Sequence, residues 1–250
     1  MASEMLIAVF VDYENLAIGA RDSGGSALRM DLILKRLLEK GRLVFKRAYC
    51  DWSQHRPAMV DLHGLGIELV DIPRTGISGK NSADIHMVVD AIDLCYAKGH
   101  IDTFALLSGD SDFSPLVSKL KENDRRVLGC GVRRSTSDLL IANCDEFIYY
   151  DDLVRDAKAS APRRKTKPEV PDRKSEALDR LVEIARSLQV EYDPLWGSLI
   201  KQTIRRVYPG FNEGYYGYGG FTELLKHAES EGLLELEFDQ GRRNYQVRLT

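Results

Sequence analysis

Asp110 and Asp112 stand two residues apart in the stretch FALLSGDSDFSPLVSKL, just after an apolar run that ends at Leu107. Carboxylate oxygens are the ligands that hard divalent cations such as Mg²⁺ and Mn²⁺ prefer, and such ions polarise a phosphodiester and activate water. An Asp at a strand–helix junction is also an ordinary N-cap, because its side chain accepts hydrogen bonds from the first N–H groups of the helix. Metal binding and helix capping both remain open for this pair.

Two further carboxylates stand where the chain leaves an apolar run or enters a helical pattern. Asp12 ends the first run in VFVDYENL, and Asp84 lies near the start of SADIHMVVDAIDL. If the first and fourth apolar runs are neighbouring central strands, Asp12 and Asp110 come close together and repel unless a cation neutralises them. The alternative for Asp12 is a simple polar turn over residues 12–15.

The elements that must position these acids alternate regularly through the first 150 residues. Helix-like segments with apolar residues at three- and four-residue spacing separate short apolar runs, which we interpret as buried strands. This alternation predicts an α/β domain, a parallel sheet with helices on both faces and its ligand-binding loops along one edge. The predicted strands are residues 5–11, 43–50, 67–72, 103–108, 126–132 and 146–150.

The composition changes after residue 155. Between 158 and 174 there are seven basic residues against two acidic ones, and three prolines interrupt any helix. We predict a first domain at 1–155, a linker at 156–174 and a second domain at 175–250. The linker is solvated and could also contact phosphates through its clustered Lys and Arg.

Residues 175–250 predict three helices followed by a terminal β-hairpin, the layout of a small winged-helix domain. The middle helix is expected to start with Asp193 as its N-cap and Pro194 at its first helical position. The hairpin is expected to join LLELEF to NYQVRLT through DQGRR.

Composition narrows the class of protein. The chain has 250 residues, 44% of them hydrophobic, and a net charge of −3, so nucleic-acid binding would need local basic patches. Its four cysteines are widely spaced, which is typical of buried residues in a reducing compartment. The histidines fit no zinc spacing, and the N-terminal apolar run is too short for a signal peptide or a membrane span. These features predict a cytoplasmic protein with no membrane partner.

Three stretches carry a family resemblance: VFVDYENL, KNSADIHMVVDAIDL and FALLSGDSDFSPLVSKLKENDRRVLGCGV. Over roughly residues 5–150 they resemble the NYN domains of the PIN-like nuclease superfamily. The resemblance implies a PIN-like (Rossmann-like) parallel sheet and hydrolysis of RNA with Mg²⁺ or Mn²⁺. It also implies that four carboxylates are catalytic metal ligands, namely Asp12, Asp84, Asp110 and Asp112. Two supporting polar groups are implied at the same site, Asn15 and Ser108.

The second domain resembles the LOTUS (OST-HTH) winged helix, on the residues GFNEGYYGYGGFTELLKHAESEGLLELEF and NYQVRL. That resemblance implies RNA as the partner, with G-rich or structured RNA favoured, and leaves open a homodimer or a protein partner through the winged helix. Tyr215 and Phe221 are further aromatic candidates, although Phe221 also suits a core. The residues expected to contact RNA are Lys80, Arg163, Arg164, Lys165, Lys201, Arg205, Arg206, Tyr216 and Tyr218.

These features favour a metal-dependent ribonuclease with an attached RNA-binding domain. One alternative is a non-catalytic RNA-binding scaffold that keeps the acidic site. Another is a metal-dependent phosphatase, although the aspartyl-phosphate type carries Asp-x-Asp after its first strand, where this chain has Asp12-Tyr13-Glu14. A dinucleotide enzyme is disfavoured, because no G-x-G-x-x-G follows that strand.

Overall fold

The computed structural model describes residues 4–23, 27–73, 81–160 and 173–250. The chain divides into two compact units, one made of residues 1–37 and 41–161 and the other of residues 38–40 and 162–250. The sequence-based limits at 155 and 174 remain predictions. No helix in the described ranges is long and apolar enough to cross a membrane.

The first unit contains a six-stranded sheet with every neighbouring pair parallel, in the order β3-β2-β1-β4-β5-β6. Each strand lies within one residue of its predicted bounds, and the predicted α/β architecture is confirmed. The strands are β1 (Leu6–Asp12), β2 (Arg42–Cys50), β3 (Glu68–Asp71), β4 (Thr103–Leu107), β5 (Arg126–Gly131) and β6 (Glu146–Tyr149).

Helices cover both faces of this sheet, which is why its central strands are apolar throughout. Val9 and Val11 of β1 pack into one hydrophobic core, whereas Ala8 and Phe10 pack into a second core on the opposite face. The helices are α1 (Tyr13–Asp22), α2 (Met30–Lys40), α3 (Arg56–Gly64), α4 (Ser82–Ala97), α5 (Ser114–Glu122), α6 (Asp138–Asn143) and α7 (Tyr150–Ser160).

Two of these helices differ from the sequence prediction. The alternative of a polar turn after β1 is wrong: Asp12 caps α1, and Leu16, Ala17 and Ala20 of that helix are buried. Helix α7 continues to Ser160, so residues 156–160, which the sequence analysis placed in the linker, are helical. Alanine and lysine, which dominate that stretch, are good helix formers.

The second unit has the predicted three helices and terminal hairpin. They are α8 (Arg173–Gln189), α9 (Gly197–Val207), α10 (Phe221–Ser230), β8 (Leu234–Asp239) and β9 (Asn244–Leu249), with an additional short strand, β7 (Leu195–Trp196). The three strands form an antiparallel sheet in the order β7-β9-β8. Leu181, Ile200 and Leu224 bring one residue from each helix into a common core.

The start of α9 corrects one prediction. Asp193 and Pro194 do not begin the helix, because Leu195 and Trp196 first pair with β9 as a strand. The helix starts at Gly197 with Trp196 as its N-cap and without a side-chain cap hydrogen bond. Burial of Leu195 against the hairpin accounts for the later start.

Candidate active site

The carboxyl ends of β1 and β4 place the candidate residues side by side. Val11 is paired with Leu107 in the parallel ladder, so that Asp12 and Ser108 follow on adjacent central strands. The predicted neighbourhood of the first and fourth runs is thereby confirmed. In open α/β sheets this edge is where ligands bind.

Hydrogen bonds fix Asp12 between the two loops. The Ser108 hydroxyl donates to Asp12 Oδ2 (2.9 Å), and the Asn15 backbone N–H donates to Asp12 Oδ1 (3.2 Å). The loops are also joined directly, because the Asn15 side-chain oxygen accepts from the Gly109 N–H (2.9 Å). Within the second loop, the Ser108 hydroxyl accepts from the Asp110 N–H (3.1 Å). Both predicted supporting groups, Asn15 and Ser108, thus contact the same constellation.

A third loop, between β5 and α6, packs against Gly109. The Ser137 N–H donates to the Gly109 carbonyl (2.9 Å). A Cβ at position 109 would lie 2.6 Å from the Ser135 carbonyl oxygen and 2.9 Å from Thr136 Cα. Position 109 therefore needs glycine, because a side chain there would push the β5–α6 loop away from the carboxylates.

The carboxylates perturb one another. The pKa of Asp12 is raised to about 7, and burial is the main cause. Hydrogen bonds from Ser108 and Asn15 lower this pKa, and the negative charges of Asp84 and Asp110 raise it. In the ranges the structure covers, neither Asp12, Asp84, Asp110 nor Asp112 forms an ion pair with Lys or Arg. Asp12, Asp84 and Asp110 therefore lie in a common field of negative charge.

Asp84 reaches this field from the first turn of α4. Partial burial is the main cause that raises the pKa of Asp84, and the negative charges of Asp110, Asp112 and Glu14 raise it further. Glu14 was not a candidate in the sequence analysis. Its position two residues after Asp12, at the sheet edge where β1 ends, was the signal that could have revealed it.

Asp110 also performs the capping role that the sequence left open. Its Oδ1 accepts from the Asp112 N–H (3.0 Å) and so caps a short 3-10 turn over Ser111–Phe113 that precedes α5. Asp112, by contrast, is exposed and is not the cap. Capping orients one Asp110 oxygen, and the charge of this residue still raises the pKa of Asp12 and Asp84.

The donor set suits a hard divalent cation in its chemistry. All the candidate groups are carboxylate, amide or hydroxyl oxygens, and their mutual repulsion would be relieved by an ion such as Mg²⁺ or Mn²⁺. Across the part of the chain that the structure describes, no three His, Cys, Asp or Glu side chains are arranged closely enough to form a complete ligand set.

Comparison with known proteins assigns the first unit. The family model of the NYN domain matches residues 6–151, more than half of the chain. The chain belongs to the NYN family. NYN domains are PIN-like nucleases, so this identity supports a nuclease function that acts on RNA.

A solved structure supports the same fold for the NYN domain. It is the crystal structure of a protein of unknown function from Vibrio parahaemolyticus RIMD 2210633, with 28% sequence identity and a TM-score of 0.54. The similarity covers 61% of this chain and 97% of the Vibrio chain. No curated protein matches this chain.

Helix α4 of the NYN domain is held to the sheet by a polar network. Asp90 Oδ2 accepts from the Tyr49 hydroxyl (2.7 Å) and from Arg47 Nη1 (2.7 Å), both on β2. Met87 and Ala91 bury the apolar face of the helix. These contacts fix the helix that carries Asp84 and give Asp90 a structural role.

Several predicted RNA contacts in the second unit are engaged within that unit. Tyr216 and Tyr218 are each only 4% exposed and lie in its core, so their rings offer no open stacking surface, which corrects the prediction. Lys201 and Arg205 both face Glu213, with closest nitrogen–oxygen distances of 3.9 and 3.2 Å.

The remaining candidates are distributed differently. Arg206 donates to the Thr203 hydroxyl (3.2 Å), and Phe221 is buried in the core as its alternative interpretation expected. The basic residues Lys80, Arg163, Arg164 and Lys165 lie outside the described residues. Tyr215 is 57% exposed and is the tyrosine of the 215–218 cluster with the most open ring.

Proposed function

We propose that this protein is a metal-dependent ribonuclease that hydrolyses RNA phosphodiester bonds at the edge where β1 and β4 end. The observation that carries the proposal is the effect of these acids on one another: the negative charge of Asp110 raises the pKa values of both Asp12 and Asp84, and none of the three has a Lys or Arg partner in the described ranges. Repelling carboxylates are costly in a folded protein unless the site uses them. Membership of the NYN family supports the choice of RNA as substrate.

Asp12, Asp84, Asp110 and Asp112 would hold one or two Mg²⁺ or Mn²⁺ ions. Such an ion, when bound, supplies Lewis-acid stabilisation of the phosphate charge and lowers the pKa of water. Glu14 is placed to add a further carboxylate to this set, because its charge acts on Asp84.

The chain's own residues determine the state of these ligands. Asp12 holds a proton up to about pH 7 because it is buried, and it must release that proton to bind a cation. Ser108 and Asn15 donate one hydrogen bond to each of its oxygens and so fix the plane of the carboxylate. Asp110 is oriented through its cap on the 3-10 turn, which directs the backbone that carries Asp112.

The second unit is proposed to be a LOTUS-type winged helix that binds RNA. Its order of helices and strands and its closing hairpin support this assignment. Tyr215 is the best placed aromatic residue for base stacking, since its ring is exposed and the Arg173 guanidinium lies 4.8 Å from the ring centroid. Stacking on an aromatic ring backed by Arg is a common mode of binding single-stranded RNA.

Incubation of 5′-fluorescent single-stranded RNA with the full chain tests the proposal. We expect cleavage in Mn²⁺ or Mg²⁺ and none with excess chelator. Asp110→Asn should bind the RNA but lose at least about a hundredfold in cleavage rate, because an amide is a poorer ligand than a carboxylate for the cation that stabilises the charge of the transition state. Asp93→Asn is the matched control, since Asp93 lies on the exposed side of α4.

Full activity of Asp110→Asn, or cleavage that persists in chelator, would overturn the assignment. RNA binding without any metal-dependent cleavage would instead assign the non-catalytic role. Release of inorganic phosphate from a 5′-phosphorylated strand that stays intact would assign a phosphatase.

A further inference from the structure

The tip of the hairpin in the second unit holds two arginines that no carboxylate neutralises. Strand β8 ends at Asp239 and β9 begins at Asn244, so Arg242 and Arg243 lie in the turn, and both are exposed. Within the described ranges, neither guanidinium has an acidic partner. The Asp239 carboxylate of the same turn accepts from the Arg242 backbone N–H (2.7 Å) instead. The tip is therefore a small cationic surface.

The Arg242 guanidinium is held over an aromatic ring. Its Cζ atom lies 4.8 Å from the centroid of the Trp196 ring. Trp196 is in turn fixed by strand pairing, because it stands opposite Gln246 of β9. A guanidinium that stacks on an aromatic face keeps its N–H donors in its own plane, where they can bind a phosphate. Stacking thus orients Arg242 without neutralising its charge.

Other arginines that lie over aromatic rings differ in this respect, because three of them also form an ion pair with a carboxylate. They are Arg47 over Phe45, Arg133 over Tyr149 and Arg180 over Tyr208. In the part of the chain that the structure describes, Arg242 and Arg173 have the aromatic contact and no such pair. An ion pair occupies the donors that a phosphate needs, so these two are the ring-held arginines open to an anionic ligand.

The backbone of Arg243 is strained. Its φ is +50°, in the left-handed region, where glycine or asparagine is the usual residue of a hairpin turn. An arginine in this conformation costs free energy that a glycine would not cost. Its side chain makes no hydrogen bond or ion pair in the described ranges that could offset this cost. The arginine at this position therefore favours a role of the side chain in binding.

We propose that Arg242 and Arg243 form a phosphate clamp, which binds adjacent phosphates of single-stranded RNA. The inference rests on the proposed binding of RNA by the second unit and extends it by naming the surface and the chemical group that it recognises. Guanidinium groups bind phosphate through charge-assisted hydrogen bonds and gain affinity by releasing counterions. Trp196 is a positioning residue, because it acts through Arg242.

Fluorescence anisotropy of labelled single-stranded RNA, titrated with the full chain in chelator, tests the clamp. Arg242→Gln and Arg243→Gln should each weaken binding about three- to tenfold and lower the slope of log affinity against log salt by about 0.7. Arg248→Gln is the matched control on the same hairpin. Arg248 already faces Glu237 at 4.0 Å, so we expect less than about a twofold change. Single-stranded DNA of the same sequence should lose affinity by the same factors, because a phosphate contact does not sense the 2′-hydroxyl.

Arg243→Gly separates binding from folding. Glycine adopts a φ of +50° without strain, so this variant should melt at the temperature of the parent or above it. Its affinity for RNA should nevertheless fall as far as that of Arg243→Gln. A variant that melts lower and binds RNA like the parent would show that the arginine serves the turn, and would overturn its place in the clamp.

A double-mutant cycle tests the positioning role of Trp196. Trp196→Leu should weaken RNA binding in the parent and have no further effect in Arg242→Gln, because the ring acts through the guanidinium. Additive losses would overturn this role. The chain has two tryptophans, so NMR gives a direct readout. The indole N–H resonance of Trp196 should shift on addition of RNA, whereas that of Trp52, which is 3% exposed, should stay in place.

The proposals fail separately. Metal-dependent cleavage of RNA, with affinity unchanged in Arg242→Gln and Arg243→Gln, would uphold the nuclease and overturn the clamp. Losses at these two arginines but not at Arg248, in a protein that never cleaves RNA, would uphold the clamp and overturn the nuclease. An RNA affinity that depends on Tyr215 and on neither arginine would uphold RNA binding by the second unit without the clamp. Equal losses in all three arginine variants, or losses with RNA that are absent with DNA, would also overturn the clamp.

Discussion

The acidic edge of the NYN domain and the basic and aromatic residues of the second unit were both predicted as functional sites, but they differ in how their charges are satisfied. At the edge, Asp12 and Asp84 meet other carboxylates and no cationic partner in the described ranges. In the second unit, Lys201 and Arg205 meet Glu213. Clustered like charges that shift one another's pKa values are typical of functional sites, whereas paired opposite charges are common on protein surfaces without any function.

Burial of the Asp12 carboxylate among other acids should lower the stability of the folded protein at neutral pH, and this is the largest effect we predict. Its pKa is about 7 in the folded chain against 3.8 for the free side chain, so between about pH 4 and pH 7 the folded state holds a proton that the unfolded state has lost. The free energy of unfolding of the metal-free protein should therefore fall as pH rises through this window, by an amount on the order of a few kcal/mol.

Chemical denaturation in chelator across that pH range measures this fall. Asp12→Asn should flatten the dependence, since the amide does not titrate, and Asp84, whose pKa is also raised, should leave a smaller residual slope. Asp93→Asn should retain the full slope. An unchanged slope in Asp12→Asn would mean that Asp12 ionises at its ordinary pKa and that its burial is compensated in another way.

The hydrogen bonds around Asp12 allow a second comparison, between two Ser–Asp pairs that follow neighbouring strands. Ser108 donates to Asp12 at the acidic edge, and Ser53 donates to Asp51 after β2. Ser108→Ala should lower the affinity for Mn²⁺ and the rate of RNA cleavage by about 10- to 100-fold, because groups that orient a metal ligand contribute that much.

Ser53→Ala is the control, with the same chemical change at a pair that caps the 3-10 turn over Trp52–Gln54. Isothermal titration with Mn²⁺ separates metal affinity from turnover. Equal losses in the two variants would show that the effect is general to the loops and not specific to the orientation of Asp12.

The sequence predicted best what the backbone alone determines. Strand order and parallel pairing place the ends of β1 and β4 together, so the predicted approach of Asp12 to the loop that carries Asp110 followed from the apolar runs. Side chains of helices and loops were harder to assign. Tyr216 and Tyr218 look like stacking residues in the Gly-aromatic run, but they fill the core because the second unit is small and needs large apolar groups.

The place of Arg242 over the Trp196 ring lay beyond prediction for a related reason. Arginine in a hairpin turn is ordinary in any sequence, and only the three-dimensional arrangement shows that its guanidinium lies over the indole. The same holds for Glu14, whose charge acts on Asp84 only because the folded sheet edge brings the start of α1 and the start of α4 near each other. Sequence patterns carry strand topology well and the pairing of individual polar atoms poorly.

The smallest predicted effect concerns the ion pairs of Glu213 with Lys201 and Arg205 in the second unit. It tests whether this pairing weakens the contact of the two basic side chains with RNA. Glu213 is largely buried, and its carboxylate accepts from Arg205 at 3.2 and 3.4 Å. Glu213→Gln should raise the affinity for single-stranded RNA by a few-fold and steepen its salt dependence, because each additional phosphate contact adds about 0.7 to the slope of log affinity against log salt. Glu237→Gln changes the net charge identically but affects an exposed pair with Arg248 at 4.0 Å, so it should leave the slope nearly unchanged.

Fluorescence anisotropy in chelator measures both variants without cleavage. Equal slopes in the two would reduce the effect to net charge, and a slope unchanged from the parent in Glu213→Gln would exclude Lys201 and Arg205 from the RNA interface.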